Sequence, residues 1–328
     1  MVFRVCFAAW LLSASLTTLA GGQITGVPRT NSFNPSLQGR VLDPDGRPLA
    51  GVHVELDKVT TAVPVASTFT QPDGTFALYN IPQGAYEIVA DSANSDVSQA
   101  LALASPHPFV ELRFAPAQPS QAAPAATISV AHLQVPEKAL AMYSKARNAF
   151  QRGHIADAQK WVNHALLIET EFAAALALRG FISMQAHNLD AAEHDLEHAT
   201  QIDSSLGSAY VALAAVYNHQ GRVDDAWRAA QRATALSPQV WQGYFEMARS
   251  ALSKGRYLEA LEFASRAERQ GGGGFYALHL VKAGALYSLK MHNDARYEAQ
   301  QALARSKGAD AQPAQTLLAE INATTTKR

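Results

Sequence analysis

Two hydrophobic rhythms divide this chain. Between residues 37 and 114, apolar and polar residues alternate in short runs broken by turn residues. From residue 137 onward, apolar positions recur at helical spacing. The first rhythm predicts strands at 38–43, 51–57, 64–70, 74–80, 85–91, 96–103 and 109–114. Val54, Leu56, Phe76, Leu78, Tyr86 and Ile88 take the inward positions of a period of two. The breaks hold Asp45-Gly46, Asp73-Gly74 and Pro82-Gln83-Gly84, residues suited to tight turns. Many short strands at this spacing predict an all-β sandwich.

The second rhythm carries a longer period. Ala158, Ala192, Ala226 and Ala260 stand 34 residues apart, and Ala295 follows after one extra residue. Ala165, Ala199, Ala233, Ala267 and Ala302 keep step seven positions later. Alanine is required where two helices approach closely, so a fixed period of this length predicts stacked helix pairs, each burying its apolar face against its neighbours.

The residues around these alanines extend the pattern. Gly153, His187, Gly221 and Gly255 occupy the turn between the paired helices, where a left-handed backbone ends the first helix. Ile155, Leu189, Val223 and Tyr257 follow as corner plugs, and acids precede the alanine, where the helix dipole favours negative charge. This resembles the tetratricopeptide repeat, over roughly residues 137 to 306. Tyr210, Leu213, Tyr217 and Pro238 match the large and closing positions of that family, and Gly180 its small first-helix position. Thr170, Ser204 and Gly272 depart from the closing proline, and Lys290 and His292 from the turn glycine and corner plug. The resemblance implies a concave groove lined by the first helices. It places Tyr143, Arg147, Phe150, Phe181, Met184, Asn218, His219, Phe245, Arg249 and Tyr287 among its groove positions. Those positions carry no lysine, so the paired lysine clamp that some such grooves close on a C-terminal carboxylate is not expected. An apolar, aromatic-bearing channel suits an extended or helical peptide.

The strand half has wording of its own. Residues 39–56, from Gly39-Arg40-Val41 to Val54-Glu55-Leu56, and the run Asp73-Gly74-Thr75-Phe76 to Gly84-Ala85-Tyr86 resemble the carboxypeptidase regulatory-like domain, a transthyretin-like sandwich. That resemblance implies a role in stabilising or presenting neighbours. The fold class expected is therefore multidomain, an all-β transthyretin-like sandwich followed by an all-α tetratricopeptide-repeat solenoid. The expected boundaries are a sandwich at 37–114, a Pro/Ala-rich linker at 115–127, a strand-like lead-in at 128–136, about five repeats at 137–309 and a capping helix at 310–322. Prolines as dense as those at 115–127 make a semi-rigid spacer, expected to hold the two domains apart.

Residues 1–20 read as a secretory signal: Arg4, an apolar stretch, then Thr18-Leu19-Ala20 with small residues at the cleavage positions, followed by a polar tail at 21–36. Cys6, the one cysteine, lies inside that signal, which leaves the mature protein no disulfide chemistry. These readings imply a bacterial protein of the periplasm or cell surface. Charge is nearly balanced, 27 basic against 28 acidic side chains without long blocks, so the basic stripe of a nucleic-acid binder is missing. The mature sequence carries no apolar run of membrane-spanning length.

His194-Asp195-Leu196-Glu197-His198 matches the H-x-x-E-H string of one zinc-peptidase class. The repeat register sets Leu196 and Ala199 on the buried face, which leaves His194, Glu197 and His198 on polar faces with no further acidic ligand marked. No catalytic residue, metal or cofactor is expected. The function expected is a non-enzymatic exported scaffold that captures a protein or peptide in its groove. The alternative makes the sandwich a carbohydrate- or envelope-binding end, with the repeats mediating oligomerisation, although Phe69, Tyr79 and Phe109 are too scattered in sequence to form an aromatic platform.

Overall fold

The computed structural model describes residues 37–60, 63–92, 95–103, 109–114 and 135–326. The readings of a signal, a polar tail, a linker and most of the strand-like lead-in lie outside those residues.

Seven strands occupy the expected segments: β1 (Leu37–Leu42), β2 (His53–Lys58), β3 (Val63–Phe69), β4 (Thr75–Leu78), β5 (Gly84–Ser92), β6 (Ser95–Leu103) and β7 (Phe109–Arg113). They form one sheet ordered β4-β1-β7 and another ordered β3-β2-β5-β6. The alternation of each strand sends Leu37, Val41, Val54, Leu56, Phe76, Tyr86, Ile88 and Leu112 into one shared core. Gly39 pairs with Phe76 across β1 and β4, and a Cβ on Gly39 would lie 2.4 Å from the Phe76 ring. The ring therefore lies over a residue without a side chain. Tyr86 is buried, and its hydroxyl donates to the Pro82 carbonyl at 2.9 Å, which ties the turn before β5 to the strand.

Among the described residues eleven helices follow: α1 (Glu137–Gln151), α2 (Ile155–Ile168), α3 (Ala173–Gln185), α4 (Leu189–Ile202), α5 (Gly207–His219), α6 (Val223–Leu236), α7 (Trp241–Ser253), α8 (Tyr257–Arg269), α9 (Tyr276–Ser288), α10 (His292–Arg305) and α11 (Gln312–Thr326). The first ten are five antiparallel pairs, each packed on the next, and α11 covers the last pair. The repeating alanines, Ala158 through Ala302, are essentially fully buried. Every pair turns through one left-handed residue: Gly153, His187, Gly221, Gly255 and Lys290, with φ between 56° and 76°. His187 and Lys290 show that the register of the turn persists where glycine is absent. Gly180 answers to a closer constraint, since a Cβ there would lie 2.7 Å from Leu196 Cγ.

The sandwich does not stand apart from the repeats, contrary to the expectation drawn from the proline-rich spacer. β6 packs on α8, and Val59, Ala85 and Ala100 share a buried apolar cluster with Leu261, Ala295 and Leu286. Arg269 Nη1 donates to Glu87 Oε2 at 2.6 Å, and Lys58 Nζ lies 3.1 Å from Asp294 Oδ1. The small side chains at 85 and 100 allow close contact. Apolar burial, with two ion pairs at its margin, overcomes the separation that a stiff spacer favours.

Candidate protein-binding face

The first helix of each repeat touches the first helix of the next, so α1, α3, α5, α7 and α9 present one continuous face. Of the ten expected groove residues, Arg147 and His219 are exposed, while Phe150, Phe181, Met184, Arg249 and Tyr287 are half-buried. Tyr143 is also half-buried, its ring 5.0 Å from that of Phe172, and burial raises its hydroxyl pKa. Phe150, Phe181 and Met184 pack their inner sides on the core of the array. Tyr287 lies edge-on to His292 at 5.6 Å.

Asn218 and Phe245 serve the array itself. Asn218 Nδ2 donates to the Glu246 carboxylate at 2.8 Å, and its carbonyl accepts from Ser250 at 3.0 Å, which joins α5 to α7. Burial raises the Glu246 pKa, and Arg249, 3.0 Å away, together with Asn218 pulls it back. Desolvation and then the Arg249 charge hold His219 below the usual histidine value. Phe245 is only 6% exposed, enclosed by Trp241 and Phe275 with ring centroids 6.2 and 5.1 Å away. Sequence reasoning missed that aromatic cluster. Its signal is the extra residue at 271–274, where a Cβ on Gly272 would lie 3.0 Å from the Trp241 ring. The glycines form a short 3-10 turn that brings Phe275 against Trp241.

The opposite side of each first helix meets the second helices. One place on each first helix and one on each second helix recur at equivalent positions there: Lys145 and Trp161, Arg179 and Asp195, Leu213 and Ala229, Met247 and Phe263, Lys282 and Glu298. Lys145 Nζ lies 4.7 Å from the centre of the Trp161 ring. Arg179 donates through Nε and Nη2 to both oxygens of Asp195, at 2.7 and 2.6 Å. Lys282, fully buried, stands 2.8 Å from Glu268 and 2.9 Å from Glu298, which also bonds His279 Nδ1 at 2.7 Å. Burial alone depresses the lysine, but the two carboxylates outweigh it and raise its pKa.

His194 is exposed on α4, away from the buried Leu196 and Ala199. Its companion Glu197 accepts the Tyr217 hydroxyl at 2.7 Å. Among the described residues no group of three or more potential ligands is placed to hold a metal ion. On the sandwich, Phe69, Tyr79 and Phe109 are 65%, 50% and 62% exposed.

Comparison with known proteins gives a family for the strand half and a likeness of fold for the helical half. Residues 36–108 match the carboxypeptidase regulatory-like domain. The helical half has a fold like that of tetratricopeptide-repeat arrays. Solved structures similar to it include the APC/C hetero-tetramer Cut9-Hcn1, with a TM-score of 0.52 at 18% identity, over 58% of this chain and 38% of that one. Another is PilF of Pseudomonas aeruginosa, with a TM-score of 0.46 at 17% identity, over 58% of this chain and 91% of that one. A third is YrrB, described as a TPR protein with an unusual peptide-binding site, with a TM-score of 0.43 at 17% identity, over 56% of this chain and 91% of that one. At these identities the likeness concerns the fold. No curated protein sequence matches the chain.

Proposed function

We propose that the protein is a non-enzymatic scaffold of the bacterial cell envelope that captures an extended or helical peptide segment on the face formed by its first helices. The single observation that carries this reading is the row Arg147, Phe181 and Met184. Here a cation and two half-buried apolar side chains from neighbouring repeats stand on one continuous face without being enclosed by the array. Apolar anchors with adjacent polar groups are what a helix-in-groove or extended-peptide partner requires, and a central aromatic or arginine carries ~2 kcal/mol or more of such binding. The export signal read in residues 1–20 supplies the envelope location. The sandwich, docked on the second helices α8 and α10, braces the last repeats and leaves the first-helix face accessible.

The test is selection of peptides from a random displayed library against the mature chain, followed by calorimetric affinities for Arg147→Ala and Phe181→Ala. The reading expects each substitution to weaken the selected peptides at least ~10-fold, about 1.4 kcal/mol, with both variants still fully folded at the temperature of the titration. Peptides that bind all variants equally would move the working surface elsewhere.

A further inference from the structure

The five pairs of equivalent places on the second-helix side are filled in four repeats and vacant in one. Where other repeats place Trp161, Asp195, Phe263 and Glu298, repeat three has Ala229, and its first-helix counterpart is Leu213. A third place completes the contrast. Glu268, which bonds Lys282 from the preceding repeat, corresponds to Thr200 at the junction of repeats two and three. The triad of half-exposed Glu268 with buried Lys282 and Glu298 is thus replaced by Thr200, Leu213 and Ala229, and a cleft of about 400 Å³ opens between α4 and α6 over α5. Tyr210 and Tyr217 line it beside Leu213, Glu197 stands on its α4 wall, and the paired Asp225 and Arg228 stand on its α6 wall.

We propose that this cleft is a binding slot for a long cationic side chain, lysine or arginine, presented by a protein partner. The chain supplies the precedent: in repeats one, two and five the equivalent space holds Lys145, Arg179 and Lys282 from the first helix. Repeat three keeps the space, but its first helix places Leu213 where those repeats place a cation. The slot's chemistry complements one. Leu213 and Ala229 offer apolar surface to an aliphatic stem, as lysine and arginine stems require. The two tyrosine rings already attract cations, with Arg222 4.3 Å from the centre of Tyr217 and Arg232 6.0 Å from that of Tyr210. The carboxylates differ in their commitments: Asp225 is already paired with Arg222 and Arg228. Glu197 bonds only the Tyr217 hydroxyl, and no cation among the described residues lies within ion-pair distance of it. It is the acceptor left for an incoming ammonium or guanidinium. The slot lies on the second-helix side, so it adds a contact separate from the first-helix face.

The experiment titrates Nα-acetyl-lysine N-methylamide and Nα-acetyl-arginine N-methylamide into the mature chain, with methyl resonances of Leu213 and Ala229 as the readout. Nα-acetyl-norleucine N-methylamide is the uncharged control. A cationic probe is expected to shift these methyls saturably and at least about tenfold more tightly than norleucine. Glu197→Gln should weaken it by a similar factor. Ala229→Phe, which copies Phe263 of repeat four, should abolish the response. The pair Leu213→Lys with Ala229→Glu, which copies repeat five, should abolish it as well and covers a failure of the phenylalanine variant to fold. Equal binding of norleucine would show an apolar hole and overturn the assignment. So would silence with both cations, or a response that survives filling of the cleft.

Discussion

Arg269 in the last turn of α8 donates to Glu87 in β5 across 2.6 Å, and this contact ties the sandwich to the fourth repeat. One guanidinium serves several carboxylates there. Burial, then the charges of Glu87 and Glu259, raise Glu262 on α8 from 4.5 to about 7. Burial, then Glu55 and Glu87, raise Asp57 on β2 from 3.8 to about 6. Arg266 and Arg269 oppose the first shift and Arg269 the second, without cancelling them. A carboxylate whose pKa is higher folded than unfolded binds its proton more tightly in the folded state. Its stabilising contribution is complete below the unfolded value and is lost as pH rises through the folded one. The docked arrangement is therefore tightest near pH 4 and loosens up to about pH 7. Glu262→Gln should leave the thermal midpoint near that of the parent at pH 4 to 5 and raise it above the parent at pH 8. A difference that does not vary with pH would remove Glu262 from the joint.

The Lys282 triad makes a sharper demand. Lys282→Met leaves Glu298, itself fully buried, without its cation. Breaking a buried pair in this way costs about 3–5 kcal/mol. The double variant with Glu298→Phe copies Met247 and Phe263 of repeat four and should recover most of that loss. Denaturant midpoints of the parent, single and double variants check both steps.

Gly180 admits no side chain. A methyl group there would lie 2.7 Å from Leu196 Cγ and 3.3 Å from the Ala192 carbonyl. Gly180→Ala should destabilise by about 1–3 kcal/mol despite alanine's better helix propensity, because overpacking between α3 and α4 exceeds that gain. The same change at Gly153 lacks a steric opponent within 4 Å and meets only the cost of φ 76°. Unfolding curves of the two variants separate packing from backbone strain.

Phe245 and Phe181 both belong to the expected groove positions, yet they should respond differently to truncation. Phe245→Ala empties the space between Trp241 and Phe275 and should cost about 3–5 kcal/mol. Phe181→Ala removes a half-buried ring and should cost less than half as much, judged by thermal unfolding.

These contrasts show what the sequence makes legible. Strand alternation at Val54 and Leu56, or Phe76 and Leu78, states directly which side faces the core, because a sandwich buries one face of each strand. The 34-residue alanine period states where helices touch, because each repeat meets the same neighbours. Phe245 was not legible as a buried residue. Its position belongs to the groove by period, and only the irregular glycine turn at 271–274, which swings Phe275 inward, encloses it. Docking of the sandwich was hidden for a related reason. Glu87, Arg269, Lys58 and Asp294 are ordinary charges in sequence, and their pairing depends on where two separate folds meet. The vacant place at Ala229 shows only when its counterparts in all five repeats are compared.

The central claim is capture on the first-helix face. Its most direct test is site-specific photocrosslinking with residues 21–328 in a host envelope fraction, placing the photoreactive residue at Met184 on α3 or at His194 on α4. The account predicts a discrete protein adduct from position 184 that is lost with Arg147→Ala, and none that matches it from position 194. An adduct from 194 alone, or one from 184 indifferent to Arg147, would contradict it.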